Sequence, residues 1–181
     1  MTTRIIYTDD TKSTLMVIST RLEEDYNYTV VRAESVDTAI DLLTADFTGK
    51  REIELILSDY LMPEKDGLLF LRETSATFGN QYPFMFLSDM GTSDILKNAI
   101  TLGTTGFESK PALSHHFDTL DAAIKDAIDR HNLKRQMCEK RARNHYIRVM
   151  SPMLDKLATK LMGQPELLKD IEDIKDILTK G

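Results

Sequence analysis

The residues from Leu55 to Leu71 read "LILSDYLMPEKDGLLFL", and this stretch contains an apolar run that ends on an aspartate. A short run of aliphatic side chains is typical of a buried strand. An ionised carboxylate is among the groups least often buried, so Asp59 at the end of the run needs a partner or a chemical role. We therefore expect the rest of the chain to bring other polar groups to this position.

The composition is that of a globular protein, because 41% of the 181 residues are hydrophobic and 29% are charged. This length is sufficient for one domain and an appendage. No apolar run approaches the roughly 20 residues that cross a bilayer, and the N-terminus lacks the apolar core of a signal peptide. Cys138 is the single cysteine, which excludes an internal disulfide. We expect a cytoplasmic protein without membrane contact.

Charge is distributed unevenly along the chain. Residues 1–129 carry 11 basic and 22 acidic side chains, whereas residues 130–149 carry 7 basic side chains and one acidic one. We therefore predict three parts: an acidic domain at 1–129, a basic helical connector at 130–150, and a short helical hairpin at 151–181. The connector is expected to continue the helix that ends the domain.

Within the acidic domain, short apolar runs alternate with longer amphipathic ones. Strict alternation of this kind predicts an α/β fold, a doubly wound five-stranded parallel sheet with helices on both faces. The predicted strands are residues 4–8, 28–33, 53–58, 82–88 and 105–109. The predicted helices lie near residues 12–24, 35–46, 66–78, 92–102 and 115–130.

Polar side chains follow four of the five predicted strands. Asp9 and Asp10 follow the first, Asp59 the third, Ser88 the fourth and Lys110 the fifth. Ligands bind beyond the carboxyl ends of parallel strands, so these groups are expected to share one edge of the sheet. Three converging carboxylates repel each other unless a cation lies between them, and Mg²⁺ prefers such oxygen ligands. With an ammonium and a hydroxyl group added, the set is suited to phosphoryl transfer.

Residues 4 to about 128 resemble the receiver domain of two-component response regulators. The resemblance is carried by the acidic pair at 9–10 and by the motifs "LILSDYLMPEKDG", "FMFLSDM" and "GFESKP". Pro63 and Gly67 also stand four and eight residues after Asp59, as in that family. Five features in the right order, at matching strand ends, make the resemblance specific.

The resemblance implies a phosphoacceptor and a metal site. Asp59 would accept a phosphoryl group from a histidine kinase or a phosphotransfer protein. Asp10, Asp59 and the backbone carbonyl of Leu61 would bind Mg²⁺ directly, and Asp9 would act largely through a bound water.

The resemblance also implies a switch. Lys110 would pair with the phosphoryl oxygens, Ser88 would move to donate a hydrogen bond to one of them, and Phe107 would swing inward behind Ser88. The face around the fourth predicted helix, the fifth strand and the fifth predicted helix would then be the signalling surface.

Three residues depart from the family pattern or modify the site. Asp89 stands where a small residue is usual, and it either repels an incoming phosphate or, as we favour, points outward. Leu61 and Met90 are bulky apolar residues beside the predicted acyl phosphate, and we expect them to slow its hydrolysis.

The family role is that of a switch without turnover of an external substrate, so we do not predict an enzyme. A haloacid-dehalogenase-like phosphatase would need a second acid where this chain has Leu61. Two alternatives stay open: a pseudo-receiver that acts without phosphorylation, and a DNA-binding regulator with a truncated helix-turn-helix. Only 30 residues follow Ser151, and the last predicted helix is acidic, which argues against nucleic-acid binding.

The C-terminal residues predict two short helices. Ser151 as N-cap, Pro152 in the first turn and Gly163 as terminator bound the first helix, and "PELLKDIEDIKDIL" forms the second. A unit this small needs support from another surface. The candidates are a second copy of the chain as a homodimer, which we favour, its own receiver domain, or a separate partner.

Overall fold

A computed structural model describes residues 2–88, 103–110, 117–161 and 165–180 of the chain. The chain divides into two compact units, Met1–His131 and Asn132–Gly181. Among the described residues, no helix is long and apolar enough to cross a membrane.

The strands and helices of the first unit alternate as predicted. The strands are β1 (Thr3–Thr8), β2 (Tyr28–Ala33), β3 (Ile53–Asp59), β4 (Phe84–Ser88) and β5 (Gly106–Ser109). The helices are α1 (Lys12–Tyr26), α2 (Val36–Thr48), α3 (Gly67–Phe78), α4 (Phe117–Lys160) and, in the second unit, α5 (Pro165–Lys180). The helix predicted at 92–102 lies outside the described residues.

All five strands pair in parallel, in the order β2-β1-β3-β4-β5. This is the doubly wound α/β fold that the alternation predicts. The register brings the carboxyl ends of neighbouring strands level, because Thr8 pairs with Ser58, and Ser88 pairs with Ser109. Residues that follow these strands therefore emerge at one edge of the sheet.

Apolar side chains cover both faces of the sheet, as a parallel sheet requires. On one face, Leu55, Leu57 and their neighbours pack with α1 and with the first turns of α4. On the other face, Ile56, Phe84 and Phe86 pack with α2 and α3. Successive strand residues point to opposite faces, so the continuous run "LIL" serves both cores at once.

One face of α3 packs against the sheet. Phe70, Leu71 and Phe78 are buried on this face, whereas Leu69 is exposed. Gly67 fixes the rotation of this helix, because its backbone packs directly against the residues that follow β3. The buried positions therefore follow Gly67 at helical spacing.

The predicted start of a separate helix at Ser151 is wrong. Helix α4 continues through Pro152 to Lys160 without a break. A proline inside a helix removes one backbone donor and crowds the carbonyl four residues earlier. Here that carbonyl belongs to Arg148, an exposed residue, so solvent can satisfy it and the helix has room to adjust. The connector and the first helix of the predicted hairpin are thus one element.

Replacing Gly67 with alanine should destabilise the first unit. The added Cβ would lie 2.5 Å from the carbonyl oxygen of Asp59 and 2.8 Å from Cε1 of Phe86. We expect Gly67→Ala to lower the free energy of unfolding by about 1–3 kcal/mol, measured by urea denaturation. Gly106→Ala is the matched control, because its Cβ would meet only the flexible side chain of Met85, at 3.3 Å. Equal losses for the two variants would contradict this account of Gly67.

Candidate functional site

Three carboxylates converge at the carboxyl edge of the sheet. Asp9 and Asp10 follow β1, Asp59 ends β3, and one oxygen from each lies within 4.8 Å of the others. Asp9 and Asp59 are buried, whereas Asp10 is exposed. The cluster therefore has two carboxylates in the protein interior and one on the side that solvent reaches.

The ammonium of Lys110 lies between the two buried carboxylates. Its Nζ is 2.9 Å from Oδ2 of Asp9 and 2.7 Å from Oδ2 of Asp59. Only 8% of the lysine side chain is exposed, so solvent screens these ion pairs weakly. The backbone amide of Lys110 also donates to the carbonyl of Ser88, at 3.1 Å, which ties β5 to the end of β4.

Burial and ion pairing act in opposite directions on the pKa values of Asp59 and Lys110. Burial raises the pKa of the Asp59 carboxyl group, and the neighbouring ammonium of Lys110 acts in the opposite direction. For Lys110, burial alone would lower the pKa, but hydrogen bonds to Asp59 and Asp9 outweigh it and raise the pKa above its ordinary value. The lysine is therefore held in its charged form.

Backbone groups hold the other oxygen of Asp59. The amide of Tyr60 donates to Oδ1 at 2.6 Å, and the amide of Leu61 lies 3.4 Å from the same atom. The loop is closed by Gly67, whose amide donates to the carbonyl of Tyr60 at 2.9 Å. The hydroxyl of Ser58 donates to the carbonyl of Asp59 at 2.7 Å. Both carboxylate oxygens are thus fixed in position.

The remaining predicted site residues have different surroundings. Ser88 is buried at the end of β4, and the Phe107 ring packs partly buried, with its centroid 6.4 Å from that of Phe86. Leu61, two residues after Asp59, is 58% exposed. Asp89 and Met90 lie outside the described residues.

Tyr7 is a site residue that the sequence analysis missed. Its hydroxyl donates to Oδ2 of Asp9 at 2.6 Å, and the side chain is fully buried. The amide of Thr11 donates to Oδ1 of the same aspartate at 2.9 Å. The signal was present, because residues two apart in a strand share a face, so Tyr7 lies on the same side as Asp9.

The donor set fits a hard divalent cation. Carboxylate oxygens are the ligands that Mg²⁺ prefers, and it usually retains several waters beside one or two carboxylates. Asp9 accepts from Tyr7, Thr11 and Lys110, and Asp59 accepts from Tyr60, Leu61 and Lys110, so the exposed Asp10 is the carboxylate of this cluster most accessible to an ion. Among the residues that the structure describes, the candidate ligands gathered at this edge are carboxylates, which favour such a cation over a softer metal.

Comparison with known proteins identifies the class. Residues 5–125 match the family model of the response regulator receiver domain. The match covers more than half of the chain, so the chain belongs to the response regulator receiver family. Receiver domains are signalling domains of two-component systems.

Solved structures share this fold. A receiver domain protein from Clostridium thermocellum is 26% identical, with a TM-score of 0.62, over 72% of this chain and 98% of its own. The chemotaxis protein CheY4 of Vibrio cholerae is 23% identical, with a TM-score of 0.59, over 70% and 99%. A response regulator receiver protein from Pseudomonas putida is 18% identical, with a TM-score of 0.59, over 69% and 97%. At the two lower identities the likeness concerns the fold alone.

Removing the Tyr7 hydroxyl should cost stability because it leaves a buried carboxylate short of one donor. We expect Tyr7→Phe to lower the free energy of unfolding by about 1.5–3 kcal/mol, measured by urea denaturation. Tyr26→Phe is the matched control: its hydroxyl also donates to an aspartate, Asp118, at 2.6 Å, but at an exposed position. The control should lose less than about 1 kcal/mol. Similar losses for both variants would show that burial of the Asp9 pair contributes little.

Proposed function

We propose that the chain is a phosphorylation switch of a two-component phosphorelay, with Asp59 as the phosphoacceptor. The observation that carries the proposal is the position of Lys110, whose ammonium contacts both Asp59 and Asp9 in a buried site. A carboxylate held beside an ammonium and a cation site is arranged for attack on a phosphoryl group.

In the proposed reaction a carboxylate oxygen of Asp59 bonds to phosphorus while the bond from phosphorus to the donor's imidazole nitrogen breaks. The imidazole leaves with its electron pair and takes a proton from water. Lys110 stabilises the negative charge on the phosphoryl oxygens, and Ser88 donates its hydroxyl to one of them. Mg²⁺, held by Asp10, Asp59 and the Leu61 carbonyl, would supply further neutralisation of that charge.

The partners follow from this chemistry. The phosphodonor is a histidine kinase or a phosphotransfer protein, and no external substrate is turned over, so the chain is not an enzyme in the ordinary sense. We place it in the cytoplasm, where the exposed thiol of Cys138 stays reduced. We assign it no nucleic-acid partner.

The output surface lies on the β5 side of the first unit. There, a groove of about 640 Å³ runs between β5 and the first turns of α4. Its lining includes Phe107, and Phe107 also packs against the core beside Phe86. Phe107 pairs with Phe86, so its ring lies on the face of the sheet opposite to α4, and a change at Ser88 and Lys110 would reach the groove through a shift of the β5 backbone. We further propose that the helices of the second unit join two copies of the chain.

Intact-mass spectrometry with acetyl phosphate tests the phosphoacceptor. With Mg²⁺ we expect the wild type to gain one phosphoryl group, and Asp59→Asn to gain none because the amide is not a nucleophile. Omitting Mg²⁺ should abolish the gain in the wild type as well. Asp10→Asn should need more Mg²⁺ for the same gain, which separates metal binding from the acceptor itself.

A contrary result would be equally informative. No phosphoryl gain in the wild type at high donor and Mg²⁺ would favour a pseudo-receiver that acts without phosphorylation. A gain that persists in Asp59→Asn would move the acceptor to another residue.

The exposed side chain of Leu61 should lengthen the lifetime of the acyl phosphate by excluding water. We expect Leu61→Asn to shorten the half-life of phosphorylated protein about three- to tenfold, since a polar side chain admits and orients water. The measurement is the decay of the phosphorylated mass after removal of the donor. Met16→Asn is the control, because Met16 is equally exposed, at 57%, but lies on α1 outside the site. An unchanged half-life in Leu61→Asn would refute the shielding role.

A further inference from the structure

The second unit contains a helical hairpin, which we define as residues 146–160 of α4 together with α5. Leu154 of α4 and Ile171 of α5 are buried. Beside them, the carboxylate of Asp155 pairs with the ammonium of Lys175 at 2.5 Å. Leu154 and Ile171 therefore mark the sides of α4 and α5 that face each other. The Asp155–Lys175 ion pair marks one of the two open faces of the hairpin.

An apolar row on α4 is left uncovered in this unit. Four large side chains, spaced three or four residues apart, are between 44% and 58% exposed: Tyr146, Val149, Met153 and Leu157. This spacing places them on one stripe of the helix. On α5, Leu167 and Ile174 are exposed by 44% and 45% and lie two turns apart.

The two apolar rows lie on the same open face of the hairpin. Around α4, Met153 is about 100° from Leu154 in the direction opposite to Asp155. Around α5, Ile174 is about 60° from Ile171 in the direction opposite to Lys175. Both rows therefore lie on the face away from the ion pair. An exposed apolar face of this kind is typical of an interaction site.

The two edges of this apolar face carry opposite charge. By the same helical periodicity, Lys156 lies along its outer edge on α4, and Lys160 continues the row itself at the end of the helix. Glu166 and Asp170 lie along its outer edge on α5. All four residues are exposed, so the face is basic on one side and acidic on the other.

We propose that a second copy of this chain covers the apolar face, and that the two hairpins form a four-helix bundle whose two-fold axis runs parallel to the helices. In that arrangement α4 of each copy lies against α5 of the other, and Lys156 approaches Asp170 of the partner subunit. This inference rests on the self-association proposed above.

The charges at the two edges favour a second copy of the chain as the partner, and they favour a two-fold axis parallel to the helices. A face with one basic and one acidic edge is complementary to itself under this axis, which satisfies the requirement of a symmetric dimer interface. A two-fold axis perpendicular to the helices would instead place like helices together, with lysines against lysines. A hairpin of this size also needs such support to bury its apolar residues.

Sedimentation velocity of the full chain tests the apolar face, in the absence and presence of acetyl phosphate and Mg²⁺. We expect a dimer, and Met153→Lys should raise its dissociation constant about tenfold or more because it places a charge at the centre of the interface. Met137→Lys is the matched control, since Met137 lies on the same helix at 51% exposure but outside the hairpin. It should change the constant less than about twofold. Circular dichroism verifies that both variants keep their helix content.

A charge exchange tests the arrangement of the helices. Lys156→Glu and Asp170→Lys should each raise the dissociation constant about three- to tenfold, and the double variant should return to within about twofold of the wild type. Within one hairpin these residues lie on opposite outer edges, so only a contact between copies can produce the recovery.

The possible results separate the inference from its premise. Monomers under both conditions would overturn the self-association as well as the bundle. A dimer that responds equally to Met153→Lys and Met137→Lys would overturn the proposed face alone. A dimer that Lys156→Glu strengthens would overturn the arrangement, because that result is expected where lysines face each other. None of these results depends on whether Asp59 accepts a phosphoryl group.

Discussion

The buried contact of the Lys110 ammonium with Asp9 and Asp59 is the interaction on which the site depends. Two carboxylates buried side by side would repel each other, and removing the cation would leave both uncompensated. The three residues come from β1, β3 and the end of β5, so the lysine also links strands that are not neighbours in the sheet. Electrostatics and sheet topology therefore stabilise the same point of the fold.

The surrounding strands and the loop after β3 hold the Lys110, Asp9 and Asp59 side chains in place. The strands are buried on both faces, and backbone amides hold the second oxygen of Asp59 while Gly67 closes the loop behind it. A carboxylate whose two oxygens are fixed loses little further freedom when it reacts, which favours attack on a phosphoryl group. The exposed Asp10 gives the buried pair an opening to solvent and to a cation.

The two units of the chain are suited to different tasks. The first unit has a continuous core and a polar site, whereas the second has an apolar face with oppositely charged edges that its own two helices leave exposed. Under the functions proposed above, the first unit would carry the chemistry and the second the contact between copies. Their division near His131 matches the change from acidic to basic composition along the chain.

Periodic patterns in the chain were sufficient to predict the alternation of elements and the strand bounds to within two residues, because these depend on local spacing. They also identified the residues that follow each strand. The rule that ligands bind beyond the carboxyl ends of parallel strands then grouped those residues at one edge. Three features depended instead on contacts, burial and exposure in the folded structure. The rotation of α3 follows from the contact of Gly67 with the loop after β3, and α4 passes through Pro152 because the helix there is exposed. The Tyr7 hydroxyl is a partner of Asp9 because the fold buries both side chains, and a buried carboxylate needs hydrogen-bond donors.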